Sequence, residues 1–559
     1  MKSKTLSSDF TVLKKDMLRF APVWVLYGIA GLMILMALAE TESGYWFAKD
    51  VAAIAVSMSV INLFYALVNA QVLFGDLYNS RMCNALHAMP MRRERWFTIH
   101  IIAGILYSLI PNLVIMLMAI PLLGNGWSAI IWWLAAAELT YLFFFGIAVF
   151  STMCAGNRIG MGIMYGLINF ISVLIHWIVV SLYEPMLYGM IVREDWAVNL
   201  CPTVKVFDFE LIEVERIGEA PFADSTYTVS VGDGWWYVGI CAVLGVLFLA
   251  AALMLYRRRK LESAGDFLAV RPAEPIFLVM LTTMAGVVFM EFFNLLVDEK
   301  NLLILLLGVA VGFFIGQMLL KRTTKVFHKK VLLGFGVYVA VLAATLVLVR
   351  VDPVGITRWV PGSDNVKSVT IGIGNGYYSR NMLVLEDEED IANIIEIHQG
   401  AVDRRKDDKT GLDLMLEYTM ESGIVKERYY YIPEDIAMDS VLRTYFSSVE
   451  CVVGVTAEEL PQLMEDVEYL YIQGESFGDG EDHPMPDLEG LAAAIIADCQ
   501  AGNMAQDWTF HHDSDIQYYV ELCFKDYKQD GSNYLTIYAY DECENIIAWT
   551  DALNIAWEK

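Results

Sequence analysis

The chain has 559 residues, 56% of them hydrophobic, with mean hydropathy +0.46 and a formal net charge of −27. That hydropathy over that length excludes an ordinary soluble enzyme and implies a polytopic membrane protein. The charge is segregated: residues 350–559 hold 42 Asp/Glu against 14 Lys/Arg while residues 1–349 are near neutral, so no basic surface suits nucleic acid as a partner.

Lys2, Lys4, Lys14, Lys15 and Arg19 precede the first apolar run, and no small-residue cleavage site closes that run before Glu40. This pattern predicts a retained anchor rather than a cleaved leader. The stretch SSDFTVLKKDMLRF puts Phe10, Leu13 and Met17 on one helical face, suited to lying along the inner leaflet. A plain polar leader is the other reading.

Nine runs are apolar enough to cross a ~30 Å hydrocarbon core as helices. They are Ala21–Ala39, Val51–Phe74, Ile99–Leu123, Ala129–Phe150, Ile159–Leu182, Trp235–Tyr256, Ile276–Val297, Leu302–Leu320 and Val331–Val349. Pro111 should kink the third, because its ring removes a backbone donor. Starting from a cytoplasmic N-terminus, the inside loops are MRRER, AGNR, YRRRK and KRTTKVFHKK, whereas the outside loops include the acidic DEKN and Tyr183 to Gly234. Every basic cluster falls on one side, as the positive-inside rule requires, and an odd number of spans delivers the C-terminus outside.

The connection 75–98, GDLYNSRMCNALHAMPMRRERWFT, lies between the second and third spans. Asn84 to Met91 reads as a short helix stopped near Pro90, with Met82, Leu86 and Met89 on one stripe and Arg92, Arg93 and Arg95 following. Such an element suits a mechanical handle gripped by a cytoplasmic partner, or else an interfacial helix resting on headgroups. LHAMPMRRERWF resembles the L-x-x-L-P-x-x-R loop of ABC-2 type transporter permeases, with Leu86, Met89 (Leu in the family), Pro90 and Arg93 on the motif. AGNRIGMGIMYGLINF, entering the fifth span, is similar to Ytr-type bacterial permeases, which have an extracytoplasmic C-terminal domain.

That resemblance implies a six-helix core over residues 1–259, with the 75–98 loop as the ATPase-coupling helix and residues 183–234 as an outer loop. Residues 260–349 then add three further membrane helices. It also implies a bacterial plasma-membrane protein that exports a peptide antibiotic or lipid-like compound. A cytoplasmic ABC ATPase subunit would supply ATP and magnesium, and a second permease copy or a related permease would complete the pair. No cofactor is expected on this chain, and coupling is carried over to Met82, Leu86, Met89, Pro90, Arg92 and Arg93.

Polar side chains inside the spans face protein or water rather than lipid. Asn62, Tyr65 and Asn69 share a face of the second span at i, i+3, i+7, and Glu138, His176 and Glu291 lie in the fourth, fifth and seventh. They read either as a translocation path or as interhelical hydrogen bonding.

Residues 350–559 change texture and predict an acidic α+β domain outside the membrane. Two units, about 366–446 and 467–556, each read β-α-β-β-α, with hairpins turning at ESG and QDGSN. The run LEDEEDIANII reads as a helix whose first turn is acidic to suit the helix dipole. Cys451, Cys499, Cys523 and Cys543 allow three full disulfide pairings, but their spacing gives no framework and favours buried thiols.

No G-x-x-x-x-G-K-[ST] occurs, so ATP hydrolysis would belong to another polypeptide. No H-E-x-x-H motif occurs either. The competing function class is a membrane sensor or scaffold whose outer domain binds a ligand or partner and signals across the membrane.

Overall fold

The computed structural model describes residues 2–41, 45–88, 91–123, 127–217, 226–297, 302–373, 382–403, 412–432, 440–473, 475–478, 483–504, 516–524 and 534–553. The chain divides into two compact units, one of residues 1–182 and 192–344, the other of residues 183–191 and 345–559. Among the described residues nine helices are long and apolar enough to cross a membrane, as the hydropathy predicts.

The first unit opens with α1 (Lys2–Arg19), α2 (Ala21–Thr41) and α3 (Tyr45–Leu73). After a one-turn 3-10 helix come α4 (Ser80–His87), α5 (Arg93–Leu123), α6 (Ser128–Cys154) and α7 (Arg158–Leu182). Two short helices, α8 (Asp195–Asn199) and α9 (Pro202–Lys205), precede an antiparallel hairpin of β1 (Ile212–Ile217) and β2 (Thr226–Val231). Then follow α10 (Trp235–Arg258), α11 (Ala273–Val297), α12 (Leu302–Lys321) and α13 (Lys329–Val351).

On α1, Leu13 and Met17 pack against the bundle core while Phe10 stays 68% exposed, so the expected apolar face is only partly used. The α5 helix runs unbroken through Pro111, whose ring packs against the bare Cα of Gly28 on α2. Glycines set the closest approaches elsewhere. A Cβ on Gly146 of α6 would lie 2.3 Å from the Gly245 carbonyl of α10. Gly308, Gly312 and Gly316 form a stripe along α12, where added Cβ atoms would meet α11 side chains at 2.5–2.7 Å. Small residues let membrane helices pack backbone to backbone, where lipid offers no hydrophobic drive for association.

Connections of the first unit gather at two ends of its helices. At one end, Arg259 donates to Thr152 O and Leu77 O, Arg257 pairs with Glu94 at 3.0 Å, and Arg322 pairs with Asp266 at 3.7 Å. At the other, Ser59 donates to Thr203 O, Tyr237 to Asn199 O, and the rings of Tyr45 and Tyr227 meet edge to face. The four base-rich connections thus share contacts at one end, as the alternation of spans requires.

In the second unit two four-stranded antiparallel sheets repeat one topology. The first has β3 (Val366–Ile373), β4 (Met382–Leu385), β5 (Leu412–Met420) and β6 (Val425–Ile432) in the order β4-β3-β5-β6, with α14 (Glu388–Asp403) inserted after β4 and α15 (Ser440–Phe446) following. Two short helices, α16 (Val449–Val453) and α17 (Leu460–Met464), lead to the second set. That set has β7 (Val467–Ile472), β8 (Glu475–Gly478), α18 (Leu488–Gln500), β9 (Ile516–Phe524), β10 (Tyr534–Tyr540) and α19 (Glu544–Asp551), ordered β10-β9-β7-β8. Each repeat is β-β-α-β-β-α rather than the expected β-α-β-β-α. The extra strands β4 and β8 have only four residues each, too short for alternation to announce them.

The first turn of α14 carries Glu388, Glu389 and Asp390, as the helix dipole favours. Asp498 of α18, fully buried, accepts from the backbone N–H of Ile546 at 2.8 Å and from Asn545 Nδ2 at 2.7 Å, so it ties α19 to α18. Cys451, Cys499, Cys523 and Cys543 are buried thiols within these cores.

Candidate coupling site and buried polar braces

The helix between the second and third spans is α4, Ser80–His87. It starts four residues earlier than the expected Asn84, because the Asn79 side chain accepts from the N–H of Arg81 at 2.9 Å and of Met82 at 3.4 Å. This is N-cap geometry, and it satisfies donors that a helix start otherwise leaves unpaired. Arg81, Met82, Asn84 and Ala85 are exposed, with Met82 at 45%, whereas Cys83 is buried. Met89 and Pro90 lie outside the described residues, as does the Leu86 side chain. Arg92 is exposed and Arg93, half-buried, opens α5.

The base of α4 is wedged against two other connections. Ser80 donates to Ala264 O at 3.2 Å. Arg259 reaches under it, donating to Thr152 O at 2.7 Å and Leu77 O at 3.4 Å. Thr152 O belongs to the last turn of α6, where carbonyls lack helical partners and the dipole favours a cation. Burial lowers the affinity of Arg259 for its proton, and the surrounding Tyr78 and Cys83 oppose that shift.

The AGNR segment completes this face. Gly265 N donates to Gly156 O at 2.7 Å and Ala269 N to Cys154 O at 2.7 Å. A Cβ on Gly156 would lie 2.3 Å from Ser263 O, and one on Gly160 would lie 2.3 Å from Phe267 O. Asn157 accepts from Gly160 N at 2.7 Å, capping α7. The two glycines are therefore needed for the 259–270 connection to lie flat on the start of α7. The 259–270 connection thus touches the base of α4, the end of α6 and the start of α7.

On the bundle side, Asp16 of α1 is buried with Oδ2 at 3.6 Å from His100 Nε2, and Tyr107 donates to Asp16 O at 2.9 Å. Burial pushes Asp16 up to about 6, with Arg19 pulling the other way. Sequence reading missed this anchor, which has no spacing signature.

The predicted intramembrane residues fall into two groups. Asn62 donates to Ala137 O and to Thr140 Oγ1, both at 2.8 Å, joining α3 to α6. Tyr65 stacks on Tyr27 with centroids 4.1 Å apart and donates to Tyr107 O at 2.7 Å. Asn69 donates to the Tyr141 hydroxyl, which in turn donates to Gly104 O at 2.8 Å. Glu138 accepts from Ser108 Oγ and Asn112 Nδ2, both at 2.9 Å, and Tyr27 donates to Asn112 Oδ1. These side chains brace α2, α3, α5 and α6 against one another. His176 and Glu291 stand outside that set of helices, on α7 and α11, with His176 edge-on to Trp196.

In the second unit, residues 183–191 return as a strap on the first sheet. Tyr429 N donates to Gly189 O at 3.3 Å and Tyr188 donates to Ala401 O at 3.2 Å. Gly189 has φ +74°, and a Cβ there would strike the Tyr430 ring at 2.1 Å. Beneath it, the buried His398 is held by the hydroxyls of Tyr418 at 3.0 Å and Tyr430 at 2.8 Å. Among the described residues no cluster of side chains suits a metal ion. Comparison of the chain with protein-family models, curated proteins and solved structures returns no match.

Proposed function

We propose that this chain is the membrane-spanning permease subunit of an ATP-binding cassette exporter. The reading rests on the placement of α4, a capped, outward-facing helix joining two membrane helices and locked at its base to the ends of α6, α7 and α10. A separate ATPase subunit grips α4 and the arginines after it from the cytoplasm. When two ATPases close on ATP, they push on two such helices, and Arg259 with the Gly156–Gly160 contact carries the push into the bundle. Two permease chains are therefore required, as a homodimer or with a related partner. The cargo is an envelope-active compound, a peptide or lipid-like molecule; this part rests on resemblance alone.

The test is co-expression with the ATPase encoded beside the chain, followed by co-purification and ATP hydrolysis in lipid. Met82→Asp and Arg93→Glu are expected to abolish association while leaving the chain monodisperse. Wild-type behaviour of both variants, or no bound ATPase, defeats the proposal.

One observation favours a second reading, a sensor. The strap 183–191 follows α7 directly and is hydrogen-bonded into the first sheet of the C-terminal unit. A ligand that shifts this sheet would pull on α7 without any ATPase. Ligand-dependent change that persists in the α4 variants is the outcome that selects it.

A further inference from the structure

The base-rich end of the first unit holds a cavity of about 600 Å³ between α6, α7, α10 and α11, within the size range of small-molecule sites. Its floor includes Cys154 and Phe277, both buried, and its rim includes Ile171, Met254 and Ile276, which are 43%, 59% and 66% exposed. In a membrane those rim residues face acyl chains, so the cavity opens sideways to lipid. Apolar side chains line it almost throughout, and Arg258 at the last turn of α10 is its one charged lining residue. Arg271 sits in the chain between Val270 and Pro272, both of which line the cavity.

Neither Arg258 nor Arg271 has a carboxylate partner among the described residues, although the neighbouring Arg257 pairs with Glu94. Exposed Arg258 on the groove lining, with exposed Arg271 next in the chain to lining residues Val270 and Pro272, complements an anionic headgroup carrying a hydrocarbon tail. Basic pockets between membrane helices on the cytoplasmic side bind such lipids. The geometry points to a resident anionic phospholipid, one acyl chain in the groove between α7 and α11 and its phosphate at Arg258 and Arg271. This lipid would seal α11, the first of the three helices after residue 260, onto the rest of the bundle. The inference stands whether or not the chain couples to an ATPase.

The full chain, purified and delipidated in detergent, is offered phosphatidylglycerol or phosphatidylcholine with matched acyl chains, and retained lipid is counted by native mass spectrometry. One phosphatidylglycerol per chain is expected, preferred over phosphatidylcholine about thirty-fold from two arginine contacts and about five-fold in Arg258→Gln. A photoactivatable phosphatidylglycerol should label the peptides spanning 164–171 and 270–280 above all others. Equal retention of the two lipids, or label spread along every lipid-facing helix, overturns the inference. So does disulfide cross-linking of two Met254→Cys chains across the groove, which would make a second copy the occupant.

Discussion

Gly146 of α6 and Gly245 of α10 bring two membrane helices into backbone contact: a Cβ on Gly146 would strike Gly245 itself, and one on Gly245 would strike the α6 backbone at Leu142 and Phe143. The obstacle is backbone on both sides: Gly245 O stands 2.3 Å from the Gly146 Cβ position, and Leu142 O stands 2.6 Å from that of Gly245. Flexible side chains cannot yield here.

Gly146→Val and Gly245→Val are therefore expected to destabilise the bundle by about 1–3 kcal/mol through overpacking. Unfolding in mixed micelles measures this. The control is Gly166→Ala, whose Cβ meets nothing within 4 Å. Equal effects of all three would show that α6 and α10 do not meet as described.

The polar braces give a second expectation. Asn62→Ala removes two hydrogen bonds between α3 and α6 and should cost about 1 kcal/mol, the usual range for interhelical bonds in a membrane. Glu138→Leu should cost more, about 1–3 kcal/mol, because it leaves Ser108 and Asn112 facing an apolar group. Glu138→Gln keeps an acceptor oxygen and should retain most stability and activity. Loss of transport in Glu138→Gln at full stability would select the path reading.

The strap offers a third. Gly189→Ala places a methyl against the Tyr430 ring at a backbone angle that L-residues avoid. Limited proteolysis should then cut near residues 183–191 in the variant and not in the wild type. Unchanged protection would remove the strap from the second unit.

His398 sets a pH dependence. Burial, with the Arg428 charge adding to it, lowers His398 from 6.5 to about 4. Between those values the unfolded chain binds the proton and the folded chain does not. Stability is therefore full above about pH 6.5 and falls as pH drops toward 4, by roughly 3 kcal/mol at most. Hydrogen exchange of the β5–β6 hairpin across pH 4–7 reads this loss, and His398→Phe should flatten the profile.

The nine spans were legible because each is a long apolar run, and length with hydropathy suffices to mark such a helix. The brace residues were legible as candidates because amides and carboxylates stand out in apolar runs. Their partners were not, since Tyr27, Asn112 and Tyr141 come from other helices at no fixed spacing. The stripe Gly308, Gly312, Gly316 was readable at i, i+4, i+8 as a packing seam and was passed over. The start of α4 was misplaced by four residues because the Asn79 cap was overlooked in favour of the stop at Pro90. Asp498 and the His398 cluster acquire meaning only through contacts 20 or more residues away.

The central claim is that α4 is the surface an ATPase grips. A photo-crosslinking residue at Met82, on the exposed side of α4, tests it most directly, with Trp236 at the opposite end of the bundle as the control. The account predicts a covalent adduct with the ATPase from position 82 and none from position 236. No adduct at position 82 in a complex that still hydrolyses ATP, or equal adducts at both, would contradict it.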